Sequence, residues 1–330
     1  MPRLTIRRHG ASACIPHRPA PNAGKPPVRQ ANRGWTRAAA RRNAQYLQRL
    51  DFAAIRGRAY AATLTIPAQA MNRVTPERMH RWLDTLIKHL HRHGLLHYHW
   101  VIEFTARHTP HIHMTIWMDD GQNNQAVESA ETTALVIGKW LAITNNDGIP
   151  TTGKAQDARP LDGDDAWLAY IAKHTQRGIL HYQRALSNMP ENWTNKPGAM
   201  WGHSRNTPLT NDSTHPMSMK AFHQFRRETR KWCRARAVRI KDPQRRAMAI
   251  RQARRMNRCS NPKLSPVRPI SIWMPDTITR QICTGLRRQG YMIGNDAYRR
   301  GLQELQLLRK TRQNPKRQRM IEKELMTMVV

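Results

Sequence analysis

Between residues 108 and 117 the chain reads HTPHIHMTIW, which places His111 and His113 one residue apart in a run that otherwise alternates like a β-strand. Successive strand residues point to opposite faces, so His111, His113, Thr115 and Trp117 share one side and Ile112, Met114, Ile116 and Met118 the other. The second set is the natural core face. The two imidazoles then project together from the opposite side, close enough to bind one divalent cation if a third ligand is near. Glu103, a charged residue between Ile102 and Phe104 in HYHWVIEF, is that ligand if this run and HIHMTIWM form an antiparallel hairpin across the short TARHTP loop. One carboxylate and two imidazoles leave positions for substrate oxygens and suit Mn2+ or Mg2+ better than a closed zinc site. Without Glu103 the pair would read as surface histidines.

A cation site on a basic protein points to phosphoryl chemistry, and that needs a nucleophile, either water or a tyrosine. The segment DDAWLAYIAKHTQRG reads as a helix with Asp164 or Asp165 as cap and Gly178 as stop. Its wheel puts Trp167, Leu168, Ile171 and Ala172 on one side and Tyr170, Lys173, His174 and Arg177 on the other. A phenol flanked by cations could have its pKa lowered and meet a phosphate; the same face would equally suit a partly exposed tyrosine on a DNA-binding helix. His174, one turn beyond Tyr170, could take the phenolic proton or activate water, or simply contact phosphate. The stretch GIPTTGKA, residues 148 to 155, has the spacing of a phosphate-binding loop up to Lys154, but Ala155 replaces the required hydroxyl and Pro150 removes a cradling amide. No ATP is expected there.

These residues need a scaffold. RGWTRAAARRNAQYLQRLD reads as a helix beginning near Trp35, and YAATLTIP as a strand. TPERMHRWLDTLIKHLHRHG is the clearest helix: Thr75 caps it, Pro76 suits its first turn, Gly94 its end, and Met79, Trp82, Leu83, Leu86, Ile87 and Leu90 form the buried stripe. His89, His91 and His93 then lie on the solvated side or at the fraying end. NQAVESAETTALVIGKWLAI is a further helix to pack on the sheet. The fold class is therefore α+β, a central antiparallel sheet with packed helices.

Composition sets the partners. The chain has 330 residues, 39% of them hydrophobic, and 56 Lys plus Arg against 22 Asp plus Glu give a formal charge of +34. Such a surface calls for a polyanion, nucleic acid first. No run approaches 18 apolar residues, so a membrane role is not expected. Cys14, Cys233, Cys259 and Cys283 lie far apart, without a C-x-x-C pair, and fit reduced thiols in a cytoplasm. Residues 1–33, rich in Pro, Gly and Arg and without an apolar signal core, read as a basic disordered arm. Residues 34–214 hold the motifs, and the polar, Pro-punctuated stretch before residue 215 marks a boundary. Residues 215–330 read as a basic, mainly helical region for DNA: from Met219 to Arg258 there are fifteen lysines or arginines against two acids.

Three segments in this order resemble the three motifs of rolling-circle replication initiators, the HUH endonucleases of plasmids and single-stranded DNA phages. They are ATLTIP, EFTARHTPHIHMTIW and YIAKH, and the likeness extends from GWTRAAARRNAQYLQRLD to KPGAMWG, roughly residues 34 to 202. Their order is specific, since relaxases, which share the metal strand, usually place the tyrosine before it. The resemblance implies the HUH fold, with His111, His113 and Glu103 on a divalent metal, Tyr170 attacking the scissile phosphate and Lys173 neutralising it, and Thr63 and Thr65 of the first motif in support. It implies a nickase acting on single-stranded and origin DNA in the bacterial cytoplasm, with helicase and polymerase supplied by the host. Some phage members carry a second tyrosine four residues after the first; here that position is His174, and Tyr182 is the nearby substitute. A related HUH transposase, or a basic DNA-binding protein without catalysis, are the alternatives.

Overall fold

The computed structural model describes residues 1–16, 34–119, 129–161, 181–258, 267 and 269–294. The chain divides into two compact units, Gly24–Thr210 and Met1–Ala23 together with Asn211–Val330. Strands are β1 (Arg3–Arg7), β2 (Gly10–Cys14), β3 (Arg58–Thr65), β4 (Leu95–Phe104), β5 (Pro110–Met118), β6 (Asp157–Pro160), β7 (Trp201–His203), β8 (Ser213–Pro216) and β9 (Ile270–Trp273). Helices are α1 (Arg37–Arg49), α2 (Pro76–His91), α3 (Ser129–Asn146), α4 (Met219–Val238), α5 (Pro243–Arg255) and α6 (Asp276–Arg288). The fold is α+β with two antiparallel sheets.

In the unit Gly24–Thr210 the sheet runs β6-β3-β5-β4-β7. Its alternation is the one expected of the strands: Ile112, Met114, Ile116 and Met118 are buried in the main core with Ile102, Phe104 and Leu64. The predicted stripe of α2 joins that core, as do Val136 and Trp140 of α3. Helix α2 begins where its caps place it, the Thr75 side chain accepting from the Arg78 amide with Pro76 in the first turn, and Gly94 takes a left-handed φ of 88° just past its end. Asp147, after α3, ties the two helices: its Oδ2 accepts from Arg78 Nε and from Trp82 Nε1, each at 2.7 Å. The Arg78 bond, and then the Trp82 bond, hold its carboxyl at about 2.

The β4–β5 connection fixes the register. Thr105 N donates to Thr109 O, the Thr105 hydroxyl accepts from the amides of Arg107 and Thr109, and His108 takes a left-handed φ of 62° to complete the turn. Pairing then runs Phe104↔Pro110, Glu103↔His111 and Val101↔His113. On the other side of β5, Thr63 pairs His113 and Thr65 pairs His111.

The second unit differs from expectation. Residues 3–14, read as part of a disordered arm, form the hairpin β1–β2 at the centre of a sheet ordered β8-β1-β2-β9. Leu4, Ile6, Ala11 and Ala13 face a core completed by Phe222 and Phe225 of α4 and Leu286 of α6. The described residues of the C-terminal region are mainly helical, as expected, but its strands β8 and β9 join the first strands of the chain in one sheet. The physical reason is burial: alternating apolar residues in RLTIR and GASAC have a face to hide, and that outweighs the Pro and Arg content of the neighbouring sequence. The expected helix at 164–178 lies outside the described residues.

Candidate metal centre

One face of the five-stranded sheet packs on α2 and α3; the other carries the polar residues. Period-two alternation puts Glu103, Val101, His99 and His97 of β4 beside His111, His113, Thr115 and Trp117 of β5 on that second face. Glu103 is fully buried and His111 nearly so. Ligand atoms of Glu103, His111 and His113 all lie within 4.8 Å of one another. The two Nε2 atoms are 3.0 Å apart, and His113 Nε2 is 3.7 Å from Glu103 Oε2. The Thr63 hydroxyl, 3.1 Å from His113 Nδ1, turns the ring so that Nε2 faces the cluster. Thr65 sits opposite His111 in register, its backbone held at both N and O by the Gln156 side chain.

Two residues that the sequence did not point to close the cluster. A single 3-10 turn, Tyr182–Arg184, lies against this face. Arg184 Nε donates to Glu103 Oε1 at 2.7 Å with both side chains buried, and its guanidinium carbon is 4.0 Å from the centroid of the Trp35 ring. The ion pair is made through Oε1, and Oε2 is the oxygen nearer His113. Gln183 Nε2 stands 3.4 Å from His111 Nε2. Tyr182 itself is 54% exposed.

A second polar group continues along the same face. His99 Nε2 donates to Asn43 Oδ1 of α1 at 2.7 Å, and Tyr46 stacks on His99 and on His203 of β7, with ring centroids 5.5 and 4.0 Å apart. Burial, aided by the charges of His203 and Arg184, drops the His99 pKa to about 3, so it is a neutral structural donor. Burial raises the Tyr46 phenol well above its usual value. The alternation of His97, His99, Val101 and Glu103 in HYHWVIEF is the sequence signal for this group. Arg184 and Gln183 have none, being 81 and 72 residues from their partners.

The donor set is chemically suited to a divalent cation: two imidazole nitrogens, a carboxylate, and a half-buried carboxamide beside them. Tyr170, Lys173 and His174 lie outside the described residues. No described helix is long and apolar enough to cross a membrane.

Residues 59–176 match the family of replication-associated proteins ORF2/G2P. The chain is 31% identical, over 79% of its length and 94% of the relative's, to a putative replication protein of Xylella fastidiosa (strain Temecula1). It is 30% identical to the replication-associated protein G2P of Pseudomonas phage Pf3, covering 78% of this chain and 87% of that protein. A putative replication protein of Xylella fastidiosa (strain 9a5c) is 28% identical over 90% of this chain and its own full length. No solved structure matches the chain.

Proposed function

The chain belongs to the family of replication-associated proteins ORF2/G2P, and on that premise we propose that it initiates rolling-circle replication by nicking one strand at an origin. The observation that carries the reading is the convergence of Glu103, His111 and His113 from two paired strands onto one buried point of the sheet. When bound there, Mn2+ or Mg2+ would supply Lewis-acid polarisation of a non-bridging phosphate oxygen. Everything else falls to side chains. Arg184 pairs with Glu103 and aims it; Thr63 fixes the His113 ring. The Tyr170 oxygen attacks phosphorus in line, the bond to the 3′ oxygen breaks, and the 3′ hydroxyl leaves while the 5′ phosphate remains on the tyrosine. Lys173 offsets charge on the phosphodiester. The phosphotyrosine preserves the energy of the broken diester, so rejoining needs no ATP. Strand separation and synthesis are left to a helicase and polymerase of the host.

The test is incubation of the full chain with a single-stranded origin oligonucleotide and Mn2+, followed by a denaturing gel. A covalent adduct forms with the natural chain and disappears in Tyr170→Phe, which retains DNA binding because one oxygen alone is lost. An adduct that persists in Tyr170→Phe moves the nucleophile elsewhere, with Tyr182 next in line. Absence of any adduct with the natural chain, together with DNA binding, would favour a binding protein without catalysis.

A further inference from the structure

The turn Tyr182–Arg184 lies beyond the segment 59–176 that carries the family match, yet it borders the metal centre. Arg184 pins it to the sheet through the buried pair with Glu103 and the stack on Trp35. Position 183 is thereby held one residue from the anchor, and its carboxamide is brought to 3.4 Å from His111 Nε2. The other end of that carboxamide, Oε1, is buried and has no hydrogen-bond partner. A buried carbonyl without a donor is costly, on the order of 1–3 kcal/mol. Moreover, the oxygen and nitrogen of an amide exchange places by a half-turn about the last side-chain torsion, so the oxygen fits where Nε2 now stands. In that orientation one neutral hard oxygen joins two imidazole nitrogens and the Glu103 carboxylate.

We propose that Gln183 is a fourth protein donor to the cation held by Glu103, His111 and His113, through its carboxamide oxygen. The assignment rests on the metal reading given under Proposed function. It explains the orphaned buried oxygen, and it gives the site a neutral ligand where Arg184 already balances the charge of Glu103. Such a set, two nitrogens with two oxygens, accommodates Mn2+, which accepts both imidazole and oxygen donors.

Mn2+ binding to the full-length chain, read from the loss of the free-ion EPR signal, tests this apart from catalysis. The natural chain should take up one ion at this site, and His113→Ala should lose it. Gln183→Leu, which keeps bulk and removes the oxygen, should weaken binding roughly 10-fold or more. Gln183→Glu, which restores an oxygen with added charge, should bind at least as tightly as the natural chain. Thermal unfolding in EDTA shows that the two variants stay folded. Unchanged Mn2+ affinity in Gln183→Leu overturns the assignment while leaving the metal centre intact. Equal weakening in the Leu and Glu variants also overturns it, since packing alone would then explain the loss. If the natural chain and His113→Ala take up Mn2+ alike, the metal reading itself fails, and the assignment falls with it.

Discussion

At the scale of single residues the site is governed by the surroundings of Glu103. A carboxylate this deeply buried persists as a charge only with a partner, and Arg184 at 2.7 Å is that partner. Removing it strands the charge: Arg184→Leu should cost about 3–5 kcal/mol in urea unfolding in EDTA, whereas the double variant Glu103→Leu with Arg184→Leu should recover much of that loss. A double variant no more stable than the single one would mean that Arg184 acts by packing on Trp35. His99 sets a different dependence. Its pKa falls from 6.5 to about 3 on folding, so between those values the unfolded chain binds the proton more tightly. His99 therefore favours the folded state fully above about pH 6.5, and that share is lost as pH falls toward 3. His203, Arg184 and Tyr46 face it and do not reverse the sign. His99→Gln, able to keep the bond to Asn43 without titrating, should make the fall of Tm between about pH 6.5 and pH 4 shallower. An unaltered slope would place the acid sensitivity in other histidines.

At the scale of elements, the features legible in the sequence are those that repeat. The α2 stripe and the alternation of β5 each repeat over enough residues to define a face, and the caps Thr75 and Gly94 bound the helix locally. The pairing of Glu103 with His111 is legible because only a short loop separates the two strands. Elements whose partners are remote are not. Strands β1 and β2 are five residues each, β2 is built almost wholly of small side chains, and β8 and β9 pair with them from more than 200 residues away. The same holds for Arg184 and Gln183, which enter the site by a turn with no periodicity. Strand β7 shows how narrowly an element can be seated. A Cβ at Gly202 would stand 2.7 Å from the Trp100 indole, while its neighbours Trp201 and His203 lie against Tyr46. Gly202→Ala should then cost about 1–3 kcal/mol by forcing Trp100 or β7 to move. A melting temperature equal to that of the natural chain would show that β7 does not sit so tightly against β4.

At the scale of the whole molecule, charge and topology together decide how DNA binding can be dissected. Because β1 and β2 lie inside the sheet with β8 and β9, cutting the chain at residue 215 would strip a hairpin of both its neighbours and expose Leu4 and Ile6. Truncation would confuse the removal of DNA-binding side chains with unfolding. Substitution on the surface avoids this. Helix α5 carries exposed Arg245, Arg251, Arg254 and Arg255 and buries little but Ala253, so it has more the build of a charged surface than of a core element. If that surface holds phosphates, replacing these four arginines by glutamine should weaken duplex binding and flatten the plot of log affinity against log salt by about 0.9 for each phosphate no longer neutralised. Nicking of a short single-stranded oligonucleotide should stay near its natural rate, since these residues belong to the other unit from Glu103, His111 and His113. An unchanged salt slope would mean that the arginines of α5 serve some role other than holding the DNA backbone, and that the chain's excess of +34 charges meets DNA elsewhere.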